Sequence, residues 1–493
     1  MKKIIYITSI WLISHLLFTG CDSFLDVNPA GKVTQDKMFE DVQGYRDAMY
    51  GIYATIAQAS LYGENLSYGF MDQLAQLYYN PHNLSESYQT AEKILQYKYE
   101  DEKVRPTVEG IWEQSYKCIS YINNVLANIV NVNLNSDPDY RLIKGEAHAL
   151  RAFLHFDLMR LYCDDIQRNP SAGGIPYAYT FDLKNKELFT LKECYSNALK
   201  DLNEAQALLA NDTLLHKGGT ASGYQDSRYC QVNLYAVYGM KSRIFRSEGN
   251  LDSAGYYAEK VIASSELKLI ETHNGLAKEK KYPGNKELIW GVFNNKLYSP
   301  IHQMFIAKTQ GTGKDTKLRV RNDYSKIYKE TPQGPDDHDY RLDEFFGYVK
   351  TADSTTIAFT RFLEEEFTSS GDQEKAITGI CLMRLPEMYY IAAEAAYDKN
   401  RDKAIRYFND VRNSRGAMDI QITRLDSRPK FMQELANERL KEFWGEGQTF
   451  FEYKYQNLEF TQAADQSIVI KPSPAIFILP WPRNEKEFGN TNK

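Results

Sequence analysis

The chain contains no Cys-x-x-Cys pair and no Gly-x-Ser-x-Gly elbow, and its six cysteines are scattered at positions 21, 118, 163, 194, 230 and 381. The first absence removes zinc-ribbon and dithiol redox spacings, and the second removes the exposed serine of an α/β-hydrolase. Gly311-Thr312-Gly313-Lys314-Asp315 imitates a phosphate loop. Lys308 stands at its first required glycine and Asp315 at its Ser/Thr, which excludes nucleotide binding there. A basic excess is missing too: 59 Lys and Arg face 65 Asp and Glu, a formal net charge of -6. A nucleic-acid partner would demand a basic face to neutralise phosphates, so none is expected. Beyond the first twenty residues no apolar run approaches a membrane span, and long strand-like alternation is scarce.

What is present begins at the N-terminus. Lys2-Lys3 is followed by an apolar stretch from Ile4 to Phe18, and Phe18-Thr19-Gly20 ends on Cys21. A basic start, a short apolar core and small residues before a cysteine are the parts of an export signal whose cut exposes a thiol for lipidation. Phe18 stands where such a site usually has Leu, with Leu17 one place early. Ser14 and His15 break the stretch, which is also too short to span a bilayer comfortably. The expectation is a removed signal peptide over 1–20 and a mature chain that is soluble but tethered to a membrane through lipid on Cys21, with an uncleaved anchor as the alternative. Five cysteines then remain. Cys118 and others fall inside helical apolar patterns as small core residues, and no disulfide is predicted.

Helical periodicity dominates the rest. Apolar residues recur at three and four over Phe39 to Ile56, Trp112 to Ile129, Leu142 to Tyr162 and Leu191 to Leu209. The predicted architecture is mainly α, built from antiparallel helix pairs. A finer repeat sits inside three helices, where Ala198, Leu202 and Ala205 share the spacing of Ala254, Ala258 and Val261 and of Ala404, Phe408 and Val411. A small residue in the second helix of a pair lets the first pack closely, as in tetratricopeptide-like units. Long irregular stretches are expected at Asn80 to about Tyr99, Thr213 to Tyr229, and Lys278 to Gly379, the last carrying an acidic run, Glu364 to Glu366. Loops of that length in compact domains are more often functional than filler. The chain is rich in aromatics, with 36 Tyr, 24 Phe and 5 Trp. A tyrosine ring buries apolar surface and keeps a polar tip, which suits helix interfaces and half-polar ligands alike.

Titratable clusters carry little chemistry. His148 and His155 are seven apart with no third ligand in view, and are read as core or interface histidines. Asp336-Asp337-His338-Asp339 lacks the spaced oxygens and glycine of a calcium loop and is read as a solvated turn. No metal or cofactor is predicted. Glu438 and Glu442 lie one turn apart beside Arg439 and Lys441, which suits an ion-pair network better than acid/base catalysis.

The order of short motifs identifies a resemblance. Cys21-Asp22-Ser23-Phe24-Leu25-Asp26 with Pro29 is followed by Gly51-Ile52-Tyr53, by Trp112, Tyr116 and Asn123, and by Gly145-Glu146-Ala147 with Leu150-Arg151-Ala152. Gly173-Gly174-Ile175-Pro176, Asn285 to Trp290, Asp339-Tyr340-Arg341 and Arg384-Leu385-Pro386-Glu387 continue the series. Asn409, Val411-Arg412, Arg415-Gly416, Glu438-Arg439, Glu442-Phe443, Glu446-Gly447 and Leu479-Pro480-Trp481-Pro482 complete it. In that order, across nearly the whole chain, these resemble the SusD/RagB outer-membrane nutrient-binding lipoproteins. Gln448 departs from the pattern, where Arg or His commonly follows the Glu-Gly pair.

The resemblance implies a SusD-like fold with long loop insertions, an N-terminal helical part over 21–230 and a C-terminal part over 231–493, packed together. It implies a non-enzymatic lipoprotein on the outer membrane that captures an oligosaccharide or polysaccharide and hands it to a SusC-like TonB-dependent transporter. Capture of a peptide, a surface glycoside hydrolase, and a protein-binding scaffold are the alternatives. Sugar recognition needs aromatic faces for CH surfaces and amides or carboxylates for hydroxyls. Two clusters supply them: Asp72, Gln73, Gln76, Tyr78, Tyr79, Asn80 and His82, and, from the later insertion, Trp290, Phe293, Asn294, Tyr298 and His302.

Overall fold

The computed structural model describes residues 35–81, 86–182, 184, 186–216, 219–220, 223–270, 286–305, 318–331, 334–335, 339–350, 355–362 and 379–489. Cys21 with the export signal, His82, Lys308 with 311–315, 336–338 and 364–366 lie outside them. The chain divides into two units, Met1–Gly44 and Tyr45–Lys493. The described part of the first holds one helical turn, Gln35–Met38, and the start of α1.

In chain order the elements used below are α1 (Val42–Ile56), α2 (Phe70–Leu74), β1 (Tyr78–Tyr79), α3 (Glu86–Leu95), α4 (Arg105–Ile129), α5 (Pro138–Tyr162), β2 (Gly173–Pro176), β3 (Leu188–Thr190), α6 (Leu191–Leu208), α7 (Leu234–Ser247) and α8 (Leu251–Ile262). There follow β4 (Leu288–Phe293), α9 (Tyr298–Phe305), β5 (Arg319–Val320), α10 (Tyr340–Phe345), β6 (Phe346–Lys350), β7 (Thr355–Phe359), β8 (Gly379–Arg384), α11 (Leu385–Ala396), α12 (Arg401–Ser414), α13 (Arg428–Glu442) and α14 (Thr449–Gln456).

Helix starts are fixed by side-chain caps that accept otherwise orphaned backbone N–H groups. Asp137 accepts from Asp139 ahead of Pro138 at the start of α5, and Thr190 and Glu193 form a reciprocal capping box on α6. Asn233, Asn250 and Asn400 do the same for α7, α8 and α12. From α4 to α8, and then through α11 and α12, each helix packs on the next. The pairs α5/α6, α7/α8 and α11/α12 therefore stack in series, as the small-residue spacing predicts. All nine residues of that pattern are buried. Gly255 on α8 shows why small side chains matter: a Cβ there would stand 2.6 Å from the Cβ of Ala395 on α11.

The stretches predicted as irregular contain regular elements. α3 occupies the middle of the segment from Asn80 to Tyr99, with Ala91 and Ile94 buried. The segment from Lys278 to Gly379 contributes β4, α9, β5, α10 and the hairpin β6/β7. Its pieces are too short to show a period, and β4 is buried on both faces from Leu288 to Val292, so it never alternates. β4 pairs antiparallel with β8, Phe293 opposite Gly379 and Val292 opposite Ile380. β1 pairs antiparallel with β5, Tyr78 opposite Val320 and Tyr79 opposite Arg319.

Many of the charged residues singled out in the sequence converge on one buried network beneath β8. Glu442 accepts from Arg415 at 2.8 Å, Arg384 at 2.7 Å and Arg341 at 3.2 Å. Glu287 is shared by Arg415 and Arg384, at 2.8 and 3.2 Å. Glu438 accepts from Arg341 at 2.9 Å and Lys441 at 3.0 Å, and Glu446 accepts from Arg384. Burial alone would raise Glu442, but Arg415 and Arg384 outweigh it and hold its carboxyl well below the usual range. Burial likewise opposes ionisation of Glu438, and Lys441, Arg341 and Arg412 overcome that cost. Both carboxylates are thus sealed, ionised and structural, the network expected of them.

The histidines are structural as well. His155 is fully buried and stacks on Tyr177 at 3.8 Å. Its Nδ1 donates to the Arg151 carbonyl at 2.8 Å while Nε2 accepts from the Ala178 N–H at 3.0 Å, so the neutral ring is satisfied at both nitrogens. His148 pairs with Asp201, which also holds Arg151 and Tyr177. Among the described residues no cluster of His, Cys, Asp and Glu could hold a metal, and no helix is long and apolar enough to cross a membrane. The five described cysteines are free, and burial pushes the Cys118 thiol up to about 12.

Candidate ligand-binding site

A cavity of ≈ 660 Å³ opens where the two sequence-predicted regions meet. Glu64 and Asn65 come from the turn after α1, Phe70 and Gln73 from α2, and Asn80 from the end of β1. Thr90, Ala91 and Ile94 come from α3 and Thr107 from α4. The far wall is α9, through Ser299, Pro300, Gln303 and Met304, with Leu318 beside β5. The β1/β5 ladder is what brings the regions together, helped by the Leu318 N–H donating to Met304 O and the Arg321 N–H to Leu77 O.

The lining combines an amide and hydroxyl set with apolar side chains. Asn65, Gln73, Asn80 and Gln303 supply four side-chain amides, Thr90, Thr107 and Ser299 three hydroxyls, and Glu64 one carboxyl, which burial raises above its usual range. Gln73 is steadied by donating to the Gly69 carbonyl at 3.3 Å, and Gln303 by donating to Ser299 at 3.2 Å. No Lys or Arg lines the cavity among the described residues. Such a set exchanges hydrogen bonds in both directions and offers nothing to balance an anion, which suits a neutral polyhydroxylated ligand.

Of the residues predicted for the site, Gln73 and Asn80 line this cavity. Tyr79 is half-buried and donates to Asn322 Oδ1 at 2.8 Å. Asn294 is a brace, its amide donating to the Ala57 carbonyl at 2.8 Å. The side chain of Tyr298 is not described, but its helix supplies the far wall. Phe293, 54% exposed, lies at the mouth of a different cavity, and His302 is half-buried on α9.

Four residues belong to the core instead, and the assignment to a ligand is corrected for each. Tyr78 is wholly buried among Phe305, Phe359 and Trp444, with ring centroids 4.9, 5.9 and 6.2 Å away. Trp290 is equally buried, edge-on to Phe153 at 4.8 Å. A ring without exposed surface has no face to offer a sugar. Gln76 spends its amide on Leu95 O, the Tyr97 hydroxyl and the Ala463 N–H. Asp72 accepts the N–H groups of Gly445 and Gly447 at 2.7 and 3.1 Å, clamping a turn whose glycines have φ of 87° and 66°. Burial raises its carboxyl well above the ordinary range despite those two donors. Glu64, Asn65, Thr90, Thr107, Ser299 and Gln303 were not anticipated. They are spread over four separate segments, and only Ser299 and Gln303 adjoin residues that the sequence had singled out.

Comparison with known proteins gives two family matches. Residues 23–244 match a SusD-like family described as starch-binding and associating with the outer membrane, and residues 347–455 match the SusD family. A SusD superfamily protein from Bacteroides thetaiotaomicron is similar in structure, with a TM-score of 0.72 and 20% identity over 93% of this chain and 98% of that one. A SusD-like carbohydrate binding protein from Bacteroides vulgatus gives 0.69 and 20% over 90% and 96%, and a SusD superfamily protein from the same species gives 0.71 and 16% over 91% and 97%. No curated protein matches this chain.

Proposed function

Since the chain belongs to the SusD family, we propose that it is a non-enzymatic capture protein for a neutral oligosaccharide, held in the cavity between α2, α3 and α9. The observation that carries this reading is the cavity's lining: four side-chain amides and three hydroxyls with no cation among the described residues, together with apolar side chains. Amides bridge donor and acceptor positions of neighbouring sugar hydroxyls, and the half-buried Pro300 and Met304 supply apolar surface for CH groups. The paired carboxylates that glycoside hydrolysis requires do not line it, where Glu64 is the single carboxyl among the described residues. We place the protein on the outer membrane, tethered by lipid on Cys21, with a SusC-like TonB-dependent transporter as the acceptor of its cargo.

The test is binding of the soluble chain, beginning at Asp22, to arrays of polysaccharides and peptides, with product analysis of every hit. Intact bound glycan is the expected result, with affinity lowered about 3- to 10-fold by Gln303→Ala, the loss of one neutral hydrogen-bonding group. Released products would make the protein a hydrolase, and binding confined to peptides would replace the ligand class.

A further inference from the structure

A second cavity, of ≈ 450 Å³, is lined by α1, by the end of β4 and by residues 223–231, whereas the first draws on the turn that follows α1 and on α9, which follows β4. Tyr50, Tyr53 and Ala54 on α1 and Phe293 at the end of β4 line it together with Tyr224, Tyr229 and Gln231. Phe293 and Ser299 are six positions apart, so these two lining residues lie within about 22 Å of each other along the chain.

Its chemistry differs from that of the first. Tyr50 and Phe293 are 44% and 54% exposed, and Tyr50 leans on Tyr224 with ring centroids 5.5 Å apart. Behind them the wall is braced by buried polar groups. The hydroxyls of Tyr53 and Tyr224 both donate to Glu146 Oε2 at 2.8 Å, Tyr53 accepts from the Val232 N–H at 2.8 Å, and Arg228 pairs with Glu146 at 2.7 Å. These rings cannot swing away without breaking a buried charge network.

Gln231 adds a polar contact. Its Oε1 accepts from Arg228 at 2.5 Å. A guanidinium only donates, so the amide oxygen must face it and the NH2 must face away. Gln231 is 5% exposed and lines the cavity, and no residue among those described partners that NH2. No charged side chain lines this cavity among the described residues. Exposed aromatic faces, one sheltered amide donor and no charge fit a pyranose ring, whose CH face stacks while a hydroxyl oxygen accepts.

We propose that the cavity bounded by Tyr50, Phe293 and Gln231 is a second subsite, which takes a further pyranose unit of the oligosaccharide held over Asn80 and Gln303. It gives the protein a preference for longer chains, because two linked contacts on one ligand reinforce each other. This inference rests on the glycan-binding reading of the first cavity.

The test is calorimetric titration of wild type, Phe293→Ala, Tyr50→Ala and Gln303→Ala with each array-positive glycan in a short form of three units and a long form of seven. Phe293→Ala and Tyr50→Ala are expected to leave the short form within twofold of wild type and to weaken the long form about 3- to 10-fold, whereas Gln303→Ala weakens both. Long-form affinity unchanged in both aromatic variants overturns the second subsite and leaves the glycan reading standing. Equal loss for both lengths also overturns it, by merging the cavities into one site. If no glycan of either length binds wild type, the glycan reading falls and this inference with it. Peptide binding that Phe293→Ala weakens would assign the cavity to an apolar side chain and overturn the pyranose.

Discussion

Asn294 donates its side-chain amide to the backbone carbonyl of Ala57 at 2.8 Å, across 237 positions of sequence. The same side chain accepts from the Lys296 N–H at 2.8 Å, which sets the turn between β4 and α9. One residue thereby fixes the end of α1 against the segment that carries Phe293 on one side and Ser299 and Gln303 on the other.

Asn294→Ala should therefore act on both cavities. Loss of a half-buried hydrogen bond costs about 1 kcal/mol, which urea denaturation would read as a small drop in midpoint. Glycan affinity is expected to fall although Asn294 lines neither cavity, through a looser mouth. Unchanged affinity for long and short glycans would show that the mouth holds without this brace.

Tyr78→Ala and Trp290→Ala are expected to destabilise the fold by about 3–5 kcal/mol each, the cost of emptying a fully buried aromatic site. Placement of these rings in the ligand clusters would instead give weakened binding with stability intact. Denaturation of the two variants beside Gln303→Ala decides it: the exposed Gln303 should change stability by no more than about 0.5 kcal/mol.

Glu442→Gln should cost about 3–5 kcal/mol, because it leaves Arg415, Arg384 and Arg341 buried around a neutral amide. The measurement is soluble yield and urea midpoint. A variant of wild-type stability would mean that Glu287, Glu438 and Glu446 suffice to hold those guanidiniums.

His155 makes stability depend on pH. Burial, the largest cause, lowers its folded value to about 3 from an ordinary 6.5. The unfolded chain thus takes up this proton at a higher pH than the folded one. The contribution is complete above 6.5 and is lost as pH falls from there toward 3, with a slope of at most about 1.4 kcal/mol per pH unit. Urea midpoints at neutral pH and at successively more acidic values should show wild type losing stability faster than His155→Gln; parallel curves would remove His155 as the cause.

Legibility in the sequence followed locality. The apolar spacings of Ala254, Ala258 and Val261 and of Ala404, Phe408 and Val411 are local signals, and both helices pack by them. Glu438 and Glu442, one turn apart between basic neighbours, announced an ion network that the fold completes with Arg341, Arg384 and Arg415. α3 and β4 were illegible for opposite reasons. α3 is a ten-residue helix in a polar stretch, while β4 is buried on both faces and so shows no alternation.

The residues of the proposed site divide along the same line. Gln73 and Asn80 were found because an amide-rich cluster beside a loop is visible in one dimension. Glu64, Thr107 and Gln303 were missed because their meeting is a property of the β1/β5 pairing and the packing of α9.

The amino-acid order by itself determined the helical content, the small-residue contacts of the stacked pairs and the charges that had to find partners, since each follows from spacing along a helix or from the cost of burying an unpaired ion. Tertiary structure alone decided which aromatics face inward. Tyr78 and Tyr50 are the same side chain, each preceded by an apolar residue, Leu77 and Met49, yet one is sealed against Phe305 and Trp444 and the other is 44% exposed where it lines a cavity. A ring that buries or exposes its face equally well takes its place from whatever packs against it, and those partners lie hundreds of residues away.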